Sequence, residues 1–142
     1  MKKIITIIII LILSMGLVSA FNYPVIVSGQ GYNHTEVKQL VYSIPIKYLV
    51  HVDRIEFIER PQLILGGFMM ISTTVREGYI QTDFYPQTGK CDNVRITLHN
   101  PDTIFHELGH GYDICVLGNP DSTEKFADDM GEIIRSEVKV KK

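Results

Sequence analysis

Hydrophobic and polar positions follow two regimes along the 142-residue chain. Residues 4–13 are an almost unbroken run of Ile and Leu, interrupted by Thr6. The run stands behind Lys2-Lys3 and ahead of Val18-Ser19-Ala20. A basic start, an apolar middle and small residues before a cleavage point read as a secretory signal peptide over residues 1–20. Cleavage after Ala20 leaves residues 21–142 with no membrane association. The rival is an uncleaved N-terminal anchor, for which the apolar stretch 4–18 is short against the roughly 20 residues of a full span.

From residue 21 the apolar positions become periodic. Asn33, with Glu36 three residues on, is a helix start of the capping-box kind. Val37, Leu40 and Val41 share one side of the helix predicted over 34–43, Pro45 stops it, and 46–50 continue as a short turn. Residues 25–27 are either a short strand or an irregular lead-in. Two-residue alternation predicts strands at 54–59, 78–85 and 93–98, with Val94, Ile96 and Leu98 on one face of the last. Residues 63–65 and 68–74 are further strands around Gly66-Gly67. The short links between the later strands point to largely antiparallel hairpins. Strand 93–98 is either an edge, open to pairing with an extended peptide, or an internal strand.

Two helices close the chain. Asn100-Pro101 is a favoured N-cap and first-turn pair, and Asp102 suits the positive end of the helix dipole. That helix runs to about Val116, with Gly118 as its stop. Asn119 to Ser122 make a loop and cap. The second helix runs from Thr123 to about Lys139, with Phe126, Ala127, Met130, Ile133, Ile134 and Val138 as an apolar stripe. The fold class is therefore α+β, one domain over residues 21–142: a short, mostly antiparallel or mixed sheet packed on two helices.

Composition narrows the partners. Removing Lys2 and Lys3 lowers the 14 basic residues to 12 against 16 acidic ones, a formal charge of −4. A mildly acidic domain without a basic cluster argues against nucleic acid. Cys91 and Cys115 are either bridged, as suits an exported domain, or two buried thiols. A further reading gives Cys91 to a metal.

The chemistry sits on the first of the two closing helices. His106-Glu107-Leu108-Gly109-His110 has the form H-E-x-x-H, and residues four apart on a helix share a face. Two imidazoles then converge on one point, as a tetrahedral Zn²⁺ requires, and Glu107 reaches a metal-activated water as general base. Gly109 and Gly111 are poor helix formers, which makes sense where another backbone or a substrate comes close. Glu124 can supply a third ligand. Asp128, one turn on, can accept a hydrogen bond from the outer N–H of a ligand histidine. Alternatives stay open: Glu124 as an ordinary dipole-stabilised acid, Asp128 as solvated charge, and Asp113 as a rival ligand. His34 and His51, without partners at ligand spacing, read as structural or exposed. Tyr112 and His99 are the nearest candidates for a donor to a developing oxyanion, Tyr112 also fitting the core and His99 the end of a strand.

The pattern His106-Glu107-x-x-His110 followed by Glu124-x-x-Ala127-Asp128 resembles the gluzincin zinc metallopeptidases, and the small size is similar to the minigluzincins. The resemblance covers about residues 93–134. It implies a zincin-like fold, Zn²⁺ held by His106, His110 and Glu124, and peptide-bond hydrolysis with Glu107 as base on a peptide or protein substrate. It also implies Asp128 supporting the first histidine. The loop between His110 and Glu124 is shorter than in larger gluzincins, and no third histidine of the metzincin kind follows. Two other readings stand beside it. One is a secreted, non-catalytic zinc-containing binding or inhibitory protein on the same scaffold. The other is a secreted domain in which H-E-x-x-H is accidental.

Overall fold

A computed structural model describes residues 23–59, 62–65, 68–71 and 77–138. The expected signal peptide lies outside them, as do residues 72–74 of the expected strand 68–74. In chain order the elements are β1 (Val25–Ser28), α1 (His34–Ser43), a 3₁₀ turn (Ile46–Tyr48), β2 (Arg54–Phe57), β3 (Gln62–Leu65), β4 (Phe68–Ile71), β5 (Gly78–Tyr85) and β6 (Lys90–Leu98). A 3₁₀ turn (Pro101–Thr103) then leads into α2 (Ile104–Gly111), a π-helical stretch (Tyr112–Val116) and α3 (Glu124–Val138).

The local signals act where the sequence places them. The Asn33 side chain accepts from the N–H groups of Thr35 and Glu36 and starts α1, which turns Val37 and Val41 inward. The Asn100 side chain accepts from the N–H of Asp102, so the Pro101–Thr103 turn leads directly into α2. In β2, Ile55 and Phe57 are buried, while Arg54 and Glu56 form an ion pair on the other face. Val94, Ile96 and Leu98 do the same from β6, and Ile104, Leu108 and Ile134 close over them from α2 and α3. Each such fully buried aliphatic side chain contributes roughly 1.5–3 kcal/mol.

The sheet is mixed rather than largely antiparallel. Its order is β1-β2-β6-β5, with β1, β2 and β6 parallel and only β5 running against β6. Alternation along a strand sets which side chains face the core, but not the direction of its neighbour. That depends on the connection, and α1 supplies the long crossover that parallel β1 and β2 need. Strand 93–98 is consequently internal within β6, and among the described residues β1 and β5 are the outer strands. β3 and β4 pair antiparallel as a separate two-stranded ribbon.

Cys91 of β6 and Cys115 are bridged, with Cα atoms 5.2 Å apart. The bridge ties the π-helical end of α2 to the sheet and takes Cys91 out of contention as a metal ligand. Among the described residues no helix is long and apolar enough to cross a membrane.

His51 is half-buried, but both its ring nitrogens are buried, and neither has a hydrogen-bond partner among the described residues. Its Nε2 lies 2.9 Å from where a Gly111 Cβ would sit, so the ring fills the space that Gly111 leaves. Burial pushes the imidazole down to about 4, with Asp53 opposing weakly. A histidine whose folded value is depressed leaves stability intact above about pH 6.5 and costs it as the pH falls towards 4. Urea titrations over that range are expected to show a loss approaching about 3 kcal/mol that His51→Leu largely removes. An equal slope in the variant would refute the assignment.

Candidate metal centre

The centre is made by two helices in backbone contact. A Cβ on Gly109 would stand 2.4 Å from the Ala127 carbonyl oxygen, and one on Gly131 would stand 3.0 Å from that of Phe105. The close crossing faces Glu124, Ala127, Asp128 and Gly131 of α3 toward α2, positions separated by three and four residues. The expectation that another backbone approaches Gly109 is met by Ala127. At Gly111 the neighbours are the His51 ring and the Ile80 side chain. The core stripe of α3 is narrower than its apolar sequence, since Ile133 is half exposed while Ala127, Gly131 and Ile134 are buried.

Three donors converge. His106 Nε2 lies 3.0 Å from Glu124 Oε2, and His110 Nε2 lies 3.6 Å from Glu124 Oε1. The ligand atoms of His106, His110 and Glu124 all fall within 4.8 Å of one another. The two rings stand edge to face, 4.8 Å between centroids, so their Nε2 atoms approach one point from different directions. The outer nitrogens are held as well. His106 Nδ1 donates to Asp128 Oδ1 at 2.8 Å, and His110 Nδ1 meets Ser122 Oγ at 3.0 Å. The Asp128 carboxylate can only accept, so it fixes the His106 proton on Nδ1 and leaves Nε2 its lone pair for a metal, and the Ser122 hydroxyl can accept from His110 Nδ1 in the same tautomer. Burial, and then the neighbouring His106, hold His110 below the ordinary imidazole range, which favours the neutral form that binds metal. Two neutral imidazoles and one carboxylate suit a borderline divalent ion such as Zn²⁺.

Glu107 is buried beside this trio, yet it lines the same cleft of about 800 Å³. The cleft runs between α2 and the outer strand β5, whose Gly78, Tyr79 and Ile80 form its opposite wall, and Thr103, Ile114 and Pro120 complete it.

The rival assignments fall elsewhere. Asp113 is buried, and its two carboxylate oxygens share the Asn119 side-chain N–H donor Nδ2, at 3.3 and 3.2 Å, so it stabilises the tight loop. Tyr112 packs on Tyr48 with ring centroids 5.9 Å apart. His99 Nδ1 donates to the Ile58 carbonyl at 2.8 Å. Neither lines the cleft. His34 bonds to Ser28. The sequence assigned Ser122 to the loop and cap, but the side-chain cap of α3 is Thr123, whose Oγ1 accepts from Phe126 N–H at 3.2 Å. Ser122 is thereby available to His110. A Ser just before the cap, twelve residues past a candidate ligand, is a weak signal that only the shortness of the loop could have strengthened.

Two outcomes test this geometry. Asp128→Ala is expected to weaken Zn²⁺ binding about 10- to 100-fold in a chelator competition, with helix content kept. Gly109→Ala is expected to cost about 1–3 kcal/mol in chemical denaturation and to weaken metal binding too, because the new Cβ meets backbone rather than a flexible side chain. A Gly109→Ala chain of unchanged stability would mean that the helices do not cross where described.

The chain as a whole matches no family model, no curated protein and no solved structure.

Proposed function

We propose that this chain is an exported, zinc-dependent peptidase with a minimal zincin-like fold and a gluzincin-type ligand set. The observation that carries the proposal is the convergence of His106, His110 and Glu124, with the outer histidine nitrogens already engaged by Asp128 and Ser122 and Glu107 in the same cleft. His106, His110 and Glu124 hold the Zn²⁺, which supplies Lewis acidity to polarise an amide carbonyl and to acidify water. Glu107 accepts the proton of the attacking water and returns it to the leaving amine nitrogen.

The outer position of β5 supports an extended peptide as substrate. Among the described residues no further strand pairs with its outer edge, and that edge, beside the trio, can pair with a substrate strand and hold one amide next to Glu107. The Cys91–Cys115 bridge supports an oxidising, extracytoplasmic setting, in line with the leader-like residues 1–20.

Elemental analysis and a peptide-library assay on residues 21–142 test the proposal together. Near one zinc per chain is expected, strongly reduced by Glu124→Ala. Glu107→Gln is expected to keep the zinc and lose about 10²–10⁴-fold in hydrolysis. Zinc bound without any hydrolysis by the unaltered chain would favour the non-catalytic binding or inhibitory scaffold. Folded protein never exposed to chelator and yet free of zinc would overturn both.

A further inference from the structure

The cleft does not end at the metal trio. A second cavity of about 580 Å³ continues it along β5, and Ile80 and Ile114 line both. The two parts differ in charge. Glu77, Asp102, Glu107, Glu124 and Asp128 line the first, which has no Lys or Arg among its described residues. Arg95 of β6 lines the second. It is exposed, and no carboxylate comes within ion-pair distance of it. Arg54 stands opposite it in the β2–β6 register, and the Glu56 carboxylate goes to Arg54. Like charges on facing positions repel, so an anion brought to Arg95 meets an unmatched cation. Asp83, the acid in the same cavity, accepts from Asn93 Nδ2 at 2.8 Å.

We infer that Arg95 is a specificity-determining residue that takes a carboxylate of a peptide laid along the outer edge of β5. The inference rests on the peptidase proposal for calling that peptide a substrate, and it names the class: peptides with an acidic group to one side of the cleaved bond. Direction and reach both fit. Val94 and Ile96 turn into the core, so Arg95 between them lies on the other face of the sheet. A strand added beyond β5 alternates its side chains as well. One faces Ile80 and Ile114, and the next faces the side of Arg95. Gln81, exposed and uncharged, stands opposite Arg95 on the intervening strand. Two strand spacings are roughly 9.5 Å, a gap that an arginine and a glutamate side chain span together. Acidic groups are repelled along the rest of the groove and attracted here, so charge sets the register of the peptide against the metal.

Peptide binding tests this apart from hydrolysis. Short fluorescent peptides carry a single Glu, Gln or Lys at each position in turn, and each is made with a free and with an amidated C-terminus. Anisotropy titrations use the zinc-loaded chain with Glu107→Gln, so that nothing is cleaved. Glu at one position, or the free C-terminus over its amide, is expected to bind about threefold or more tighter than the neutral form, and added salt is expected to shrink the difference. Which of the two shows the preference tells a side-chain carboxylate from a terminal one. Arg95→Lys is expected to keep the preference in weaker form and Arg95→Gln to remove it. Arg95→Glu is expected to turn it towards Lys, a reversal that a merely structural role for Arg95 would not produce. A smaller preference for both anions, one that survives Arg95→Gln, or failure of every peptide to bind overturns the inference. Hydrolysis of the same peptides by the unaltered chain is read separately. Cleavage without charge preference overturns the inference and leaves the peptidase proposal standing. Binding with the preference but no cleavage supports the inference at Arg95 and tells against the peptidase proposal alone.

Discussion

The contact on which the rest depends is the crossing of α2 and α3 at Gly109 and Gly131. Side chains normally hold helix axes 8–10 Å apart, and here a glycine on each helix lets backbone meet backbone. Only at that separation does a glutamate one turn before Ala127 reach the Nε2 atoms of both histidines. Only then does Asp128 meet the outer face of His106. The short loop from Val116 to Thr123 follows from the same closeness. It must turn tightly, and Asp113 and Asn119 provide the internal hydrogen bonds that let it do so. Each glycine weakens its own helix in isolation by about 1 kcal/mol relative to alanine, and the packing the pair permits offsets that cost.

The sheet supplies what the helices cannot. Two helices alone would present the donors to open solvent. β5 places a wall opposite them, and β6 carries Cys91, which anchors the far end of α2. The cleft thus has one face of ionisable side chains on a helix and one face of strand backbone.

The parts legible in the sequence are those fixed by local geometry. The spacing of His106 and His110 follows from helical periodicity, as does the one-turn offset of Asp128 from Glu124; the sequence pointed to Glu124 as a partner of the histidines through a resemblance, and the structure brings these residues together. The Asn33 and Asn100 starts were legible for the same reason. The parallel pairing of β1, β2 and β6 was not, because alternation in 54–59 and 93–98 fixes only the buried face. Whether strand 93–98 is an edge or internal stayed open for that reason, and its pairing on both sides makes it internal. Ser122 and Gly78 were missed on different grounds. Ser122 stands where a cap is equally plausible. Gly78 looks like half of a turn signal, and its contact with Glu107 joins residues 29 positions apart, beyond the reach of any local pattern.

That difference in range has a consequence for how the domain comes together and comes apart. The ligand trio belongs to a helical hairpin between residues 106 and 124, a unit of low contact order that can assemble early and survive late. The surroundings of Glu107 need β5, which reaches α2 only when the β5–β6 hairpin has docked on that helix. A chain that has formed its hairpin but not its sheet is therefore equipped to capture an ion without being equipped to use it. Occupancy and competence are matured by different contacts.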